Sequence, residues 1–163
     1  MKYFLLSICF VLFTNIAFAG DSLPPKKSKY QFGLNAGFVT GFGLGFRYTP
    51  PSTKFMHQFT LLPIIVSGTT LVDVSYSLFY RLKERKYTDF NLYCGSNFIT
   101  AGIDGTSNFI NITGAGFGFD FKLGNYFSLN LNSGYALYNT PGSSSDRSYM
   151  FLPTGEIGLF YKL

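Results

Sequence analysis

The chain has 163 residues and a formal net charge of +5, with 20% aromatic residues and only 13% charged residues. Typical soluble domains contain about 25% charged residues, so this composition is unusual for a domain surrounded by water. No stretch beyond residue 20 is long and apolar enough to form a membrane helix, which excludes a helical membrane protein. The apolar residues are therefore spread through a single domain rather than collected in blocks.

The N-terminus predicts export from the cytoplasm. Lys2 precedes an apolar run over residues 4–13, and residues 17–19 (AFA) have the small-x-small pattern of a cleavage site. The run is too short to span a bilayer. Residues 1–19 are therefore predicted to be a cleaved signal peptide rather than a retained anchor helix.

Beyond the signal peptide, apolar residues alternate with polar or small ones, most clearly over residues 71–82. A period of two is the pattern of strands with one apolar face, and no segment shows the 3.6-residue stripe of a helix. Strands of about ten residues suit a tilted membrane crossing, whereas globular sheets use strands of about five or six. Turn residues divide the chain into eight predicted strands, placed at 30–39, 41–49, 54–66, 70–82, 89–100, 109–122, 126–138 and 150–162.

The apolar face carries too many aromatic side chains for the interior of a small barrel. Eight strands enclose only enough room for side chains to fill, and the small and polar face fits that space better. We therefore expect an all-β fold, an eight-stranded antiparallel up-and-down transmembrane β-barrel, with its aromatic face toward lipid. Residues 20–29 would form a periplasmic N-terminal tail, and residues 30–163 the outer-membrane β-barrel domain.

Aromatic residues recur near one end of the predicted strands. With a periplasmic N-terminus, these ends meet the same membrane interface, where barrels place a belt of aromatic side chains. The predicted members of this aromatic girdle are Tyr30, Tyr48, Tyr80, Phe90, Phe121, Phe127 and Tyr161.

Two glycine-rich stretches, GFGLGF at residues 41–46 and GAGFGFDFKL at residues 114–123, look at first like phosphate-binding loops. Such a loop needs a strand, a glycine turn and then a helix, whereas the alternation continues through both stretches. The glycines fall on the polar face, although glycine is unfavourable within strands. We therefore interpret them as lumen residues that leave room for larger side chains opposite.

The same alternation places charged side chains inside the barrel, where they must be paired. Arg47, Arg81, Asp120 and Glu156 are predicted to form a lumen charge network rather than an ion pathway. The other predicted inward charges are Asp73, Lys122 and Lys162. The large side chains predicted to point inward and block passage are Phe79, Tyr93, Tyr138, Leu152 and Phe160.

Basic residues are concentrated in the N-terminal tail and in the turns at the same end of the barrel. We interpret them as solvated turn residues; the alternative is contact with an anionic periplasmic polymer or with lipid head groups. Nucleic acid is not an expected partner, because export separates the chain from it. These residues are Lys26, Lys27, Lys29, Lys54, Lys83, Arg85 and Lys86.

Little in the chain points to catalysis. His57, the single histidine, shares the predicted lipid side with Phe55 and Phe59, and it lacks the nearby serine of the lipid A deacylase pattern. Loss of the signal peptide leaves Cys94 as the single cysteine, so no internal disulfide is expected. One histidine and one cysteine argue against a protein-built metal site. We predict no catalytic residue, no metal and no cofactor.

The last predicted strand carries a more specific pattern. Glu156, Gly158, Tyr161 and Leu163 follow the order polar, glycine, aromatic and apolar. This resembles the C-terminal assembly signal of bacterial outer-membrane barrels, although many of these end in Phe where this chain has Leu163. By strand number and length, the chain resembles the OmpA/OmpX class of small eight-stranded barrels. The resemblance implies the bacterial outer membrane, with membrane lipid and the barrel-assembly machinery as partners, and it implies no function.

Four functions remain open on the sequence. The first is a monomeric integral outer-membrane barrel with a structural or interaction role, a largely filled lumen and no catalysis. The second is a narrow pore or small-solute conduit, and the third is a lipid-modifying outer-membrane enzyme. The fourth is a secreted soluble barrel that binds an apolar ligand, with its aromatic face turned inward.

Overall fold

The structure is a computed structural model that describes residues 28–66, 69–103, 106–140 and 148–163. All eight predicted strands are present, and their ends lie within a few residues of the predicted ones. The strands are β1 (Tyr30–Gly37), β2 (Gly41–Tyr48), β3 (Phe55–Val66), β4 (Thr69–Glu84), β5 (Thr88–Ile103), β6 (Thr106–Leu123), β7 (Phe127–Thr140) and β8 (Ser148–Lys162).

The strands form one closed barrel in which each strand pairs with its neighbours in sequence and β1 pairs with β8. Every pairing is antiparallel, and the β1–β8 seam runs from Gln31 opposite Lys162 to Ala36 opposite Ile157. The all-β, eight-stranded up-and-down barrel predicted from the sequence is thus confirmed. Across the described ranges, no helix is long and apolar enough to cross a membrane.

The predicted alternation becomes an alternation of burial. In β4, Asp73, Ser75 and Ser77 are buried in the lumen, whereas Val74 and Tyr76 between them are exposed on the outer wall. The described buried side chains are mostly polar or charged, and the outer wall carries a large set of exposed Phe, Leu, Ile and Tyr side chains. This is the reverse of a water-soluble domain, whose interior is apolar.

The first hairpin is shorter than the rest of the wall. β1 and β2 have 8 residues each, whereas β6 has 18. β1 ends at Gly37 instead of the predicted residue 39, because the β1–β2 turn folds into the lumen and leaves Val39 and Thr40 fully buried. Gly41 begins β2 with a φ of 79°, a conformation that favours glycine and allows this inward turn.

The wall is consequently lower at the first hairpin. β2 pairs with β3 only up to Leu61, so residues 62–66 of β3 pair with β4 alone. β8 pairs with β1 only over residues 157–162, so the first part of β8 pairs with β7 alone. Leu152 was predicted to point into the lumen and block it, but 38% of it is exposed, because β8 extends here beyond its pairing with the short β1.

Several sequence predictions concern residues outside the described ranges. The signal peptide over residues 1–19 lies there, and so does the N-terminal tail up to residue 27. The connections at residues 67–68, 104–105 and 141–147 are also outside the described part of the chain.

Candidate functional site: the lumen and its terminal mouth

Both ends of the barrel domain lie at one opening, which we call the terminal mouth. Thr49 donates its backbone N–H to Lys29, and Leu163 donates its backbone N–H to Tyr30. The Ser28 hydroxyl also donates to the backbone oxygen of Leu163 at 2.6 Å. The opposite opening, above the inward β1–β2 turn, is called the far mouth.

Arg47 closes the lumen on the side of the terminal mouth. Its side chain is 1% exposed, and its Nη1 donates to Asp120 Oδ1 at 2.9 Å. Its Nε donates to Gln58 Oε1 at 2.6 Å, and Asn91 donates to the second oxygen of Asp120 at 2.7 Å. Every partner in this cluster comes from a different strand, so the ion pair ties β2, β3, β5 and β6 together across the lumen.

Two aromatic rings fill the space around the guanidinium group. The Arg47 Cζ lies 3.7 Å from the ring centroid of Phe160 and 5.2 Å from that of Phe79. Both rings are fully buried. The third nitrogen, Nη2, has no hydrogen-bond partner among the described residues, and the aromatic faces compensate its charge in part.

Glycines make room for the Phe160 ring, as interpreted from the sequence. A Cβ atom built on Gly45 would lie 2.8 Å from Phe160 Cε1, and one built on Gly158 would lie 2.6 Å from Cε2. Both distances are shorter than real Cβ contacts. The ring therefore occupies the space that two side chains would otherwise fill, which blocks the lumen.

A second charge cluster lies at the terminal mouth. Arg81 Nε is 3.2 Å from Asp89 Oδ2, and Lys122 Nζ is 2.7 Å from Asp89 Oδ1. Glu84 adds weaker contacts at 3.7 Å to both Arg81 and Lys122. Lys122 also donates to the backbone oxygen of Arg85 at 2.8 Å. The cluster links β4, β5 and β6 where the strands leave the barrel.

This cluster forms one wall of a cavity of about 470 Å³ that opens at the terminal mouth. The β2–β3 turn (residues 49–54) forms another part of the lining, and Met56 and Asp120 also line the cavity. Lys162 of β8 lines it as well and is only 8% exposed. This volume lies within the range of about 300–1,000 Å³ that is usual for small-molecule pockets.

The lumen on the far side is filled by the inward β1–β2 turn. Glu156 accepts a hydrogen bond from the backbone N–H of Val39 at 3.0 Å. Asn35 and Ser75 donate to the backbone oxygen of Thr40 at 3.0 and 2.6 Å. The turn is anchored by polar groups from the wall, and Val39 packs in a small apolar cluster with Met56, Phe79, Tyr93, Ile112 and Ala136.

The four residues predicted to form one lumen charge network are all on the inner face, but they do not lie together. Arg47 pairs with Asp120, whereas Arg81 pairs with Asp89 and Glu84 at the mouth. Glu156 lies on the far side against the turn, where Asn132 and Thr154 contact it at 3.5 and 3.4 Å. The alternation along a strand predicts whether a side chain faces the lumen, but not its position along the barrel axis. It therefore could not predict that these four charges lie in three different places.

The seven residues of the predicted girdle all lie on the outer wall near the terminal mouth. Tyr30 faces Tyr48 across the β1–β2 pair with their ring centroids 5.4 Å apart. Phe127 faces Tyr161 at 5.4 Å, and Tyr80 contacts Phe55 at 5.1 Å. The other two members are Phe90 and Phe121, each of which contacts the ring of Phe119.

A second aromatic set lies toward the far mouth and was not predicted. Phe98 and Phe109 stack with centroids 6.0 Å apart, and Tyr135 and Phe151 stack at 5.1 Å with an interplanar angle of 5°. The sequence pattern that could have predicted this set is the recurrence of aromatic residues near the strand ends opposite the girdle. The two sets are separated by aliphatic residues of the outer wall, such as Leu61.

The residues of the predicted assembly signal divide between the two faces of β8. Glu156 and Gly158 face the lumen, whereas Tyr161 and Leu163 are exposed. His57 lies on the outer wall, where its Nδ1 is 2.8 Å from the Tyr76 hydroxyl and its ring stacks on Tyr48. Among the contacts of His57 with the described residues, no carboxylate orients its imidazole as the third member of a catalytic triad would.

The lumen thus has a buried ion pair, a filled centre and a polar cavity at one mouth. No family model, curated protein or solved structure matches this chain. The interpretation of its function therefore depends on the geometry of the barrel itself.

Proposed function

We propose that the chain is an integral β-barrel protein of the bacterial outer membrane, with a structural or interaction role and no catalysis. The observation that carries the proposal is the reversed distribution of side chains. The lumen holds charged residues and amides, and the outer wall is mostly apolar, with aromatic sets near both ends. That order, polar inside and apolar outside between aromatic belts, is the one that a lipid bilayer requires of a barrel.

The packing of the lumen supports a closed barrel over a conduit. Arg47 and Phe160 occupy it on the side of the terminal mouth, and the β1–β2 turn occupies its far side. A small solute would have to displace a buried ion pair or the anchored turn. The Arg47 cluster links β2, β3, β5 and β6, and β4 and β8 hold the inward turn, which suits a stable monomer that displays its mouths to partners.

The proposal includes a route to the membrane. Residues 1–19 direct the chain across the inner membrane, and the pattern of Glu156, Gly158, Tyr161 and Leu163 is presented to the barrel-assembly machinery. Exposed Tyr161 and Leu163 lie on the outside of β8, where an assembly factor could contact them.

Cell fractionation and gel migration test the proposal. The mature chain should sediment with outer membranes, require detergent for extraction, and run faster on a gel before boiling than after it. Recovery as a soluble monomer without detergent would overturn the proposal. Planar-bilayer recordings of the refolded chain should show no stable single-channel steps, and such steps would instead support the narrow conduit.

A further inference from the structure

The cavity at the terminal mouth contains more positive than negative side chains. Five cationic residues line it, namely Lys29, Lys54, Arg81, Lys122 and Lys162. Three acidic residues line it, namely Glu84, Asp89 and Asp120. Asp120 is already paired with the fully buried Arg47, so two carboxylates remain for five cations.

Lys162 is the one buried cation among these five, and it has no ion pair with the described residues. It is only 8% exposed and lines the cavity, yet no carboxylate of the described residues lies within ion-pairing distance of its Nζ. Lys122 repels this ammonium group, whereas Asp120 and Asp89 attract it from beyond that distance. Since the mostly buried Lys162 side chain faces the cavity without an ion pair, an anion bound in the cavity would be favourable for its charge.

Arg81 provides a second unused donor in the same cavity. Its Nε is 3.2 Å from Asp89 Oδ2 but is not aligned for a hydrogen bond, and the atom has no hydrogen-bond partner among the described residues. Arg81 and Lys162 come from different strands and line the same space as Lys122. Three cations on three strands therefore surround one volume.

We propose that this cavity binds a phosphate-type oxyanion, with Lys162 as the principal ligand and Arg81 and Lys122 beside it. A phosphate group suits the site because it carries up to two negative charges and several acceptor oxygens. The cavity volume of about 470 Å³ exceeds what one inorganic ion needs, so the phosphate can carry an organic group. Free phosphate and the head group of an anionic phospholipid share this chemistry.

Calorimetric titration of the refolded mature chain tests the site. Inorganic phosphate is the first probe, at constant ionic strength maintained with chloride, and short-chain phosphatidylglycerol is the second. The variants are Lys162→Gln, Lys162→Arg and Lys83→Gln. Lys83 is an exposed lysine of the same mouth that does not line the cavity, so it controls for general loss of positive charge. Gel migration before boiling checks that each variant has folded.

We expect saturable binding of at least one probe that is weakened about tenfold or more by Lys162→Gln. Lys162→Arg should retain most of the binding, and Lys83→Gln should bind as the parent does. Binding of inorganic phosphate identifies a free oxyanion as the ligand, whereas binding of the phospholipid alone identifies a head group at the same site. Equal losses in Lys162→Gln and Lys83→Gln, or no binding of either probe, would overturn the proposal.

Discussion

Arg47 gives the most direct test of how the lumen is stabilised. Replacement by Met keeps much of the side-chain volume against Phe160 and removes the charge that faces Asp120. The carboxylate then stays in the lumen with Asn91 as its remaining hydrogen-bond donor. Removing one partner of a buried ion pair typically costs about 3–5 kcal/mol, because the other charge is left uncompensated.

The expected cost for Arg47→Met lies at the lower end of that range, about 3 kcal/mol. The Asp120 side chain is 12% exposed, so water from the terminal mouth offsets part of the loss. Asp120→Asn should also be destabilising, because it leaves the Arg47 charge buried. The double variant Arg47→Met/Asp120→Asn should cost less than the sum of the single variants by about 1–3 kcal/mol, since neither charge remains.

Urea unfolding of the refolded chain in detergent, followed by far-ultraviolet circular dichroism, measures these costs. The chain contains no Trp, so tryptophan fluorescence cannot be used. Lys83→Met removes an exposed cation and should change the free energy of unfolding by less than about 0.5 kcal/mol. A cost below about 1 kcal/mol for Arg47→Met, or simple additivity with Asp120→Asn, would refute the role of the ion pair.

Three further predictions address the two faces of the wall. Gly116→Ala places a Cβ atom against the backbone of Ser133 and should lower the free energy of unfolding by about 1–3 kcal/mol. Gly155→Ala is the control, because its Cβ atom meets no atom within 4 Å, and it should be nearly neutral in the same urea experiment. Leu61→Arg lies on the outer wall between the aromatic sets and should lower the free energy of unfolding in lipid vesicles by about 2–4 kcal/mol. Tyr126→Arg lies at the terminal mouth and should lower it by at most about 1 kcal/mol. Equal losses in the two variants would contradict a membrane-spanning wall. Cys94 is exposed on the outer wall, so a membrane-permeant maleimide should label it in vesicles while a charged maleimide should not until detergent is added.

The fold was predictable because an alternating pattern specifies both strands and faces. In β4 and β6, each residue has the burial that its parity predicts over most of the strand. The number of strands followed from turn residues, since every connection in the barrel joins adjacent strands. The inward β1–β2 turn was not predicted, although the apolar Phe38-Val39 pair between two glycines is unusual for a turn in water.

The site was less predictable than the fold. Parity placed Arg47, Arg81, Asp120 and Glu156 inside, but heights along the barrel depend on register, which the sequence does not specify. The ion pairs of Asp89 with Arg81 and Lys122 were not predicted. Asp89 lies at the predicted start of a strand, where a charged residue is typical of a turn. Lys162 was placed inside, but its lack of a carboxylate partner emerges only from the three-dimensional arrangement.

The seam between β1 and β8 has a consequence for the order of biogenesis. Seven of the eight pairings join strands that are consecutive in sequence, so these hairpins can form one after another in chain order. The seam unites segments at opposite ends of the domain, as the bond between Ser28 and Leu163 illustrates, and it must wait for β8. Until then the sheet has two open edges that can pair with other chains. If the strands pair in chain order, the outer edge of β1 stays unpaired longest, because its partner β8 forms last.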